Sequence, residues 1–178
     1  MDFDGVVTNL NIDWNKVRED VSKRVGFKVN SMLDFWEKYF GTELFDLANE
    51  IVEKYELEGV MKASLHEDVK QLLILFKGKI YIASMQSKKV INMFLEKYSL
   101  EKFFKGVLGR DDFGSKIKQV QYILEKEKNV KRILLIDDSK RNISRCQKLG
   151  ITCILFNRRA GDNLVHLVKN ASYLRPEW

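Results

Sequence analysis

Met1-Asp2-Phe3-Asp4-Gly5-Val6-Val7-Thr8 opens the chain and sets two carboxylates two residues apart directly before a glycine. In an extended segment residues two apart point the same way, so Asp2 and Asp4 can address one site from the end of a strand. Gly5 then lets the backbone leave that strand sharply and frees main-chain N–H groups to face an anion. Alone, the stretch reads equally well as a solvated turn. The rest of the chain decides.

From Thr8 to about residue 58 there is no strand pattern, and three helices are expected instead. Asp13 can cap the first, whose Val17, Val21 and Val25 share one face before Gly26. Asn30 or Ser31 can cap the second, striped by Met32, Phe35, Trp36 and Tyr39 and ended by Gly41. Thr42 opens the third, with Leu44, Leu47, Ala48, Ile51, Val52 and Tyr55. Short amphipathic helices are not stable singly in water, so these should pack as a small bundle.

Beyond residue 61 helix and strand alternate. Ser64-Leu65-His66-Glu67 reads as a capping box ahead of a helix through Val69, Leu72, Leu73 and Leu75. Strands are expected at 79–84, 106–108, 132–136 and 151–156, with helices opened by Ser87 and at 116–124, 142–149 and 162–168. Such alternation over short connections predicts an α/β fold: a Rossmann-like, three-layer parallel sheet covered on both faces, with an α-helical insertion.

The 178 residues suffice for one domain with an inserted subdomain. With 45% hydrophobic and 31% charged residues the chain falls in the soluble globular class. No apolar run approaches the ~18 residues that span a bilayer, and no signal peptide is visible, so no membrane partner is expected. Cys146 and Cys153 have no metal-ligand spacing and read as small buried hydrophobes in a reducing, cytoplasmic setting. The net charge of +6 does not argue for nucleic acid, because lysines alternate with glutamates, as in Glu125-Lys126-Glu127-Lys128. A mild positive excess instead helps to draw in a phosphorylated small molecule.

Sheets of this kind bind ligands at the carboxyl ends of their strands. That rule nominates Asp2 and Asp4, then Ser84, then Asp137 and Asp138 after Ile133-Leu134-Leu135-Ile136, with Lys116 from the first turn of a helix. Converging carboxylates repel unless a divalent cation neutralises them, and hard oxygen ligands without His or Cys suit magnesium. Ser84 and Lys116 can meet the oxygens of a phosphoryl group held there. A carboxylate in line can attack phosphorus, giving an aspartyl phosphate that water later cleaves, and Asp4 is placed to move the protons.

D-F-D-G-V-V-T, a hydrophobic strand ending in Ser84, Lys116 opening a helix, and I-L-L-I-D-D-S-K-R-N resemble the four ordered motifs of the haloacid dehalogenase (HAD) superfamily of phosphohydrolases. The likeness covers nearly the whole chain. The helical insert is similar to the small helical cap of the phosphoglycolate phosphatase-like subgroup, and Ser99-Leu100-Glu101-Lys102-Phe103-Phe104 also fits that subgroup. The resemblance implies a HAD-like core at 1–10 and 59–178 and a cap at 11–58. It implies Asp2 as nucleophile and Asp4 as acid/base. Asp2, the Asp4 carbonyl and Asp138 would be Mg2+ ligands, with Asp137 an extra ligand or a residue behind them, and Ser84, Met85 and Lys116 would hold the substrate. The implied activity is magnesium-dependent hydrolysis of a small phosphorylated metabolite. The alternatives are a phosphomutase of the same subgroup, or a non-catalytic phosphoryl- or metal-binding protein that keeps the fold.

Four departures stand out. Met85 and Gln86 follow Ser84 where the subgroup often has Asn, no proline follows Lys116, and Asn142 replaces a frequent aspartate. Asn142 is expected to hydrogen-bond a metal-bound water. Only Met1 precedes Asp2, where resembling proteins have an apolar strand of about five residues, so the native chain is expected to begin upstream. A cap exposing Trp36 or Phe40 would support a homodimer.

Overall fold

Residues 1–130 and 132–173 are described by a computed structural model, so the stretch 174–178 of the expected core lies outside the described residues. The helical insert comprises α1 (Trp14–Val25), α2 (Met32–Tyr39) and α3 (Glu43–Lys62). There follow α4 (Glu67–Leu75), β1 (Ile80–Ala83), α5 (Lys88–Lys97), β2 (Phe104–Leu108), α6 (Lys116–Lys126), β3 (Leu134–Asp137), α7 (Lys140–Gln147), β4 (Thr152–Leu155) and α8 (Leu164–Tyr173). Among the described residues no helix is long and apolar enough to cross a membrane.

β1 pairs with β2 and β3 with β4, both in parallel. The start of the chain joins the two pairs. The Met1 nitrogen donates to Tyr81 O (2.8 Å), Ala83 N to Met1 O (3.0 Å) and Asp2 N to Ile136 O (2.8 Å). The order is therefore β2, β1, the Met1–Asp2 segment, β3, β4, and the chain leaves this centre in both directions. The first residues thus occupy the topological switch point, where α/β sheets bind ligands.

Side-chain alternation along each strand builds the layers. Ile82 and Ile136 join Phe3, Val69, Phe94 and Leu164 in the largest core cluster, under α4, α5 and α8. Tyr81, Ala83 and Leu135 face the other way, toward Ile123 and Val120 of α6 and Ile143 and Cys146 of α7.

In the insert, Val17, Val21, Phe35, Phe45 and Val52 form a separate apolar cluster that Met85 enters from the core. Asp13 caps α1 by accepting from Asn15 N and Lys16 N, and Gly26 closes it at φ +81°. Ser31, rather than Asn30, caps α2. Thr42 precedes α3 without a side-chain cap, since its hydroxyl donates to Tyr39 O.

Two expectations need correction. α3 continues to Lys62 past the expected end near 58, and Gly59 within it permits close approach: a Cβ there would lie 2.8 Å from Leu10 O. The capping box at Ser64 does not form. α4 begins at Glu67 with His66 at the cap position and no side-chain bond, while the Ser64 carbonyl accepts from Thr8 Oγ1 (2.8 Å). Trp36 of the expected stripe lies in the core of the insert at 1% exposure, packed edge-on against Phe35 and Phe45 with the Arg110 guanidinium 5.0 Å from its ring. Phe40 stays 37% exposed.

The insert is seated on the core at several points. Arg145 of α7 grips Glu37 of α2 with two hydrogen bonds (2.6 and 2.5 Å), and Arg141 pairs with Asp34. A Cβ at Gly114 would meet Trp36 O at 2.7 Å, so core backbone touches α2 directly. Deeper in, Arg110 Nη1 lies 2.5 Å from Glu56 Oε1 of α3, both side chains at 0% exposure.

Candidate active site

Asp2 ends the central segment, and its Oδ1 collects three donors: Phe3 N at 2.8 Å, Ser84 Oγ at 2.6 Å and Lys116 Nζ at 2.9 Å. Its Oδ2 has no donor among the described residues. Lys116 is buried between Asp2, Asp137 Oδ2 (3.1 Å) and the Ala83 carbonyl. Burial works against its charge, but Asp137 and Asp2 outweigh burial and hold the ammonium above the ordinary lysine range.

Asp137 is saturated. It accepts from Ser139 N (2.8 Å), from Asn142 Nδ2 on both oxygens (3.2 Å each) and from Lys116. Burial and the charge of Asp2 still push its carboxyl up to about 6. Asp138 sits at the cleft, where burial and then the charges of Asp2 and Asp4 raise it to about 6. Asp4 is raised to about 6 chiefly by burial, while its Oδ1 accepts from Leu10 N (2.8 Å).

Asp2, Asp137 and Asp138 each place a carboxylate oxygen within 4.8 Å of the others. The Asp4 carboxylate stands outside that group. With one lysine against three carboxylates and oxygen donors alone, the set fits a hard divalent cation. Gly5 is required beside it: at φ +81° a Cβ would lie 2.2 Å from Asp138 Oδ2.

The turn after Asp4 uses more of its amides than the sequence suggested. Gly5 N donates to Thr8 O, Val6, Val7 and Thr8 donate to Phe3 O, and Phe3 N is held by Asp2 itself. The N–H groups of Asp4 and Met85 have no acceptor among the described residues. These two remain for an anion, flanked by the Ser84 hydroxyl and Lys116.

All the nominated residues, Asp2, Asp4, Ser84, Met85, Lys116, Asp137 and Asp138, come together at this end of the sheet. Asn142 donates its amide Nδ2 to both oxygens of Asp137 and also lines the cleft. Sequence reasoning missed Gln119, whose Nε2 donates to Ser84 O (2.7 Å) and Gly109 O (2.9 Å) and so ties the ends of β1 and β2. Its signal was its place one turn after Lys116 on the same helix face. Gln86, against the Ser84 hydroxyl, was visible as a departure but not as a contact.

Asp2, Asp4 and Asp138 line a cleft of about 360 Å³ to which the insert contributes Trp14, Arg18 and Leu33. A larger hollow of about 490 Å³, beside Leu73, Tyr98 and Phe103, contains none of the site carboxylates.

Residues 1–156 match the family of haloacid dehalogenase-like hydrolases. No curated protein matches the chain. Among solved structures, a hydrolase from Streptococcus pneumoniae TIGR4 is similar at 19% identity and TM-score 0.58, over 96% of this chain and 95% of that one. A HAD phosphatase from Thermococcus onnurineus is similar at 18% identity and TM-score 0.54, over 88% and 84%. A predicted phosphoglycolate phosphatase from Haemophilus somnus 129PT is similar at 18% identity and TM-score 0.58, over 85% and 81%. At such identities these likenesses show a common fold.

Proposed function

The chain belongs to the haloacid dehalogenase-like hydrolases, and from that premise we propose that it hydrolyses a small phosphomonoester, with magnesium, through an aspartyl phosphate on Asp2. The observation that carries this reading is the asymmetry of Asp2. Three donors fix Oδ1, while Oδ2 is left bare in a residue that lines the cleft.

Oδ2 attacks phosphorus as the bond to the leaving oxygen breaks, and Asp4 gives that oxygen a proton. Water then attacks phosphorus, Asp4 takes its proton, and cleavage of the bond to Oδ2 releases phosphate and restores the carboxylate. A carboxyl raised to about 6 changes protonation near neutral pH, which suits both steps. The free N–H groups of Asp4 and Met85, the Ser84 hydroxyl and Lys116 receive the other phosphoryl oxygens. Asp2, Asp138 and the Asp4 carbonyl would hold magnesium, backed by Asp137, which keeps Lys116 in place. Bound there, the ion supplies charge neutralisation and polarises the phosphoryl group. The insert at 11–58 serves as the cap that excludes water from the cleft.

Release of phosphate from para-nitrophenyl phosphate tests the reading, with turnover expected in magnesium and lost on chelation. A folded, magnesium-loaded protein that turns over no member of a phosphomonoester panel would overturn it.

A pH dependence follows from the same carboxylates. In the metal-free fold Asp4 and Asp138 titrate at about 6 rather than 3.8. Both therefore hold protons more tightly when folded, and their ionisation removes stability as pH rises from the unfolded to the folded value. Magnesium competes with the proton on Asp138, whose carboxylate would bind it. The rise in melting temperature on adding magnesium should be large at about pH 7.5 and small at about pH 5. An equal rise at both, read by thermal denaturation, would place the ion elsewhere.

A further inference from the structure

The insert contributes to the cleft a charge that the described residues leave without a counterion. Arg18, on α1, is the only cation lining the cleft among the described residues. It is half-buried, and it forms no ion pair among the described residues. Its Nη2 donates to Asn15 Oδ1 (2.5 Å), a neutral amide. The nearby acid on the same helix, Asp20, is engaged by the Tyr55 hydroxyl (2.6 Å) and Lys23. The other arginines that join insert and core, Arg110, Arg141 and Arg145, all face carboxylates.

A guanidinium withdrawn partly from water, in a cleft it shares with Trp14 and Leu33 and with no acid to meet it, is free to take an arriving anion. Its planar fork suits a carboxylate or a phosphate. The catalytic floor already accounts for the phosphoryl group that is transferred. Arg18 lines the same cleft from the insert, within the space left for the alcohol portion of an ester.

Resting on the phosphatase reading, we infer that Arg18 is a specificity residue that receives a second anionic group, a carboxylate or a phosphate, on the leaving alcohol. The apolar flank of Trp14 and Leu33 accommodates the carbon chain between the two anions. Esters of neutral alcohols leave Arg18 unpaired and gain nothing from it.

The test uses three esters of matched size: 2-hydroxyethyl phosphate, carboxymethyl phosphate and ethane-1,2-diyl bisphosphate. Wild-type protein is expected to show kcat/KM about tenfold or more higher for one or both of the doubly anionic esters. The preferred one tells carboxylate from phosphate. Arg18→Ala should bring the ratio near one, Arg18→Lys should keep part of it, and Arg18→Glu should invert it. No preference in the wild type, or an equal fall for all three esters in Arg18→Ala, would overturn the proposal. Should no ester be turned over, the phosphatase reading fails by itself, and calorimetric binding of phosphonoacetate against 2-hydroxyethylphosphonate still decides on Arg18. Tighter binding of phosphonoacetate by the wild type, lost in Arg18→Ala, supports the inference, and equal binding of the two sinks it.

Discussion

Asp2→Asn is expected to lower phosphate release by about a thousandfold or more while the protein stays folded. An amide cannot form the phosphoryl ester, so the loss falls on kcat. The fold should tolerate the change. An amide oxygen still accepts from Phe3 N, Ser84 Oγ and Lys116 Nζ, the three donors now on Oδ1. Lys116 also keeps Asp137 as a charged partner at 3.1 Å. Removing one negative charge relieves Asp137 and Asp138, which Asp2 now pushes upward. A melting temperature close to the wild type together with lost turnover is the expected pair of results. Turnover near the wild-type rate would move the nucleophile to another residue.

Arg110→Ala is expected to cost about 3–5 kcal/mol of folding free energy, read by urea denaturation. The guanidinium reaches Glu56 Oε1 (2.5 Å), Asn49 Oδ1 (2.6 Å) and Met85 O (3.1 Å) and stacks on Trp36. Truncation leaves Glu56 buried with the Ser87 N–H as its one remaining donor, at 3.1 Å. Burial already raises the Glu56 carboxyl, and Arg110 is what opposes that rise. The pair is not a net stabiliser of the same size, since both ions lose their water and Arg110 Nη2 finds no partner. Replacing both ions, as in Glu56→Gln with Arg110→Met, should therefore recover much of the loss. A single-mutant cost below about 1 kcal/mol would show that water reaches the pair.

The difference between these two sites explains what could be read beforehand. Asp137 and Asp138 were legible because they end or follow an apolar strand, and Asp2 and Asp4 because they sit two apart before a glycine; strand ends in a parallel sheet share one edge. Ser84 and Lys116 followed from the same rule. The Arg110–Glu56 contact was not legible. Its partners are 54 residues apart, and charged residues in amphipathic segments read as surface. The burial of Trp36 was legible only in part for a related reason: a stripe fixes which helix face is apolar, but not that core residues such as Arg110 and Gly114 close over it. Ser64 had the right spacing for a cap, yet the long-range bond from Thr8 took its carbonyl, and tertiary demand overrode the local motif.

Leu10 lies where the chain enters the insert, and Gly59 lies where it leaves. A Cβ on Gly59 would strike Leu10 O at 2.8 Å, so the two connectors cross in contact. Leu10 also supplies, through its N–H at 2.8 Å, the hydrogen bond that orients Asp4. A side chain at position 59 would therefore press on the residue whose N–H holds the Asp4 carboxylate, so a change in the middle of a helix would reach the site without touching the cleft.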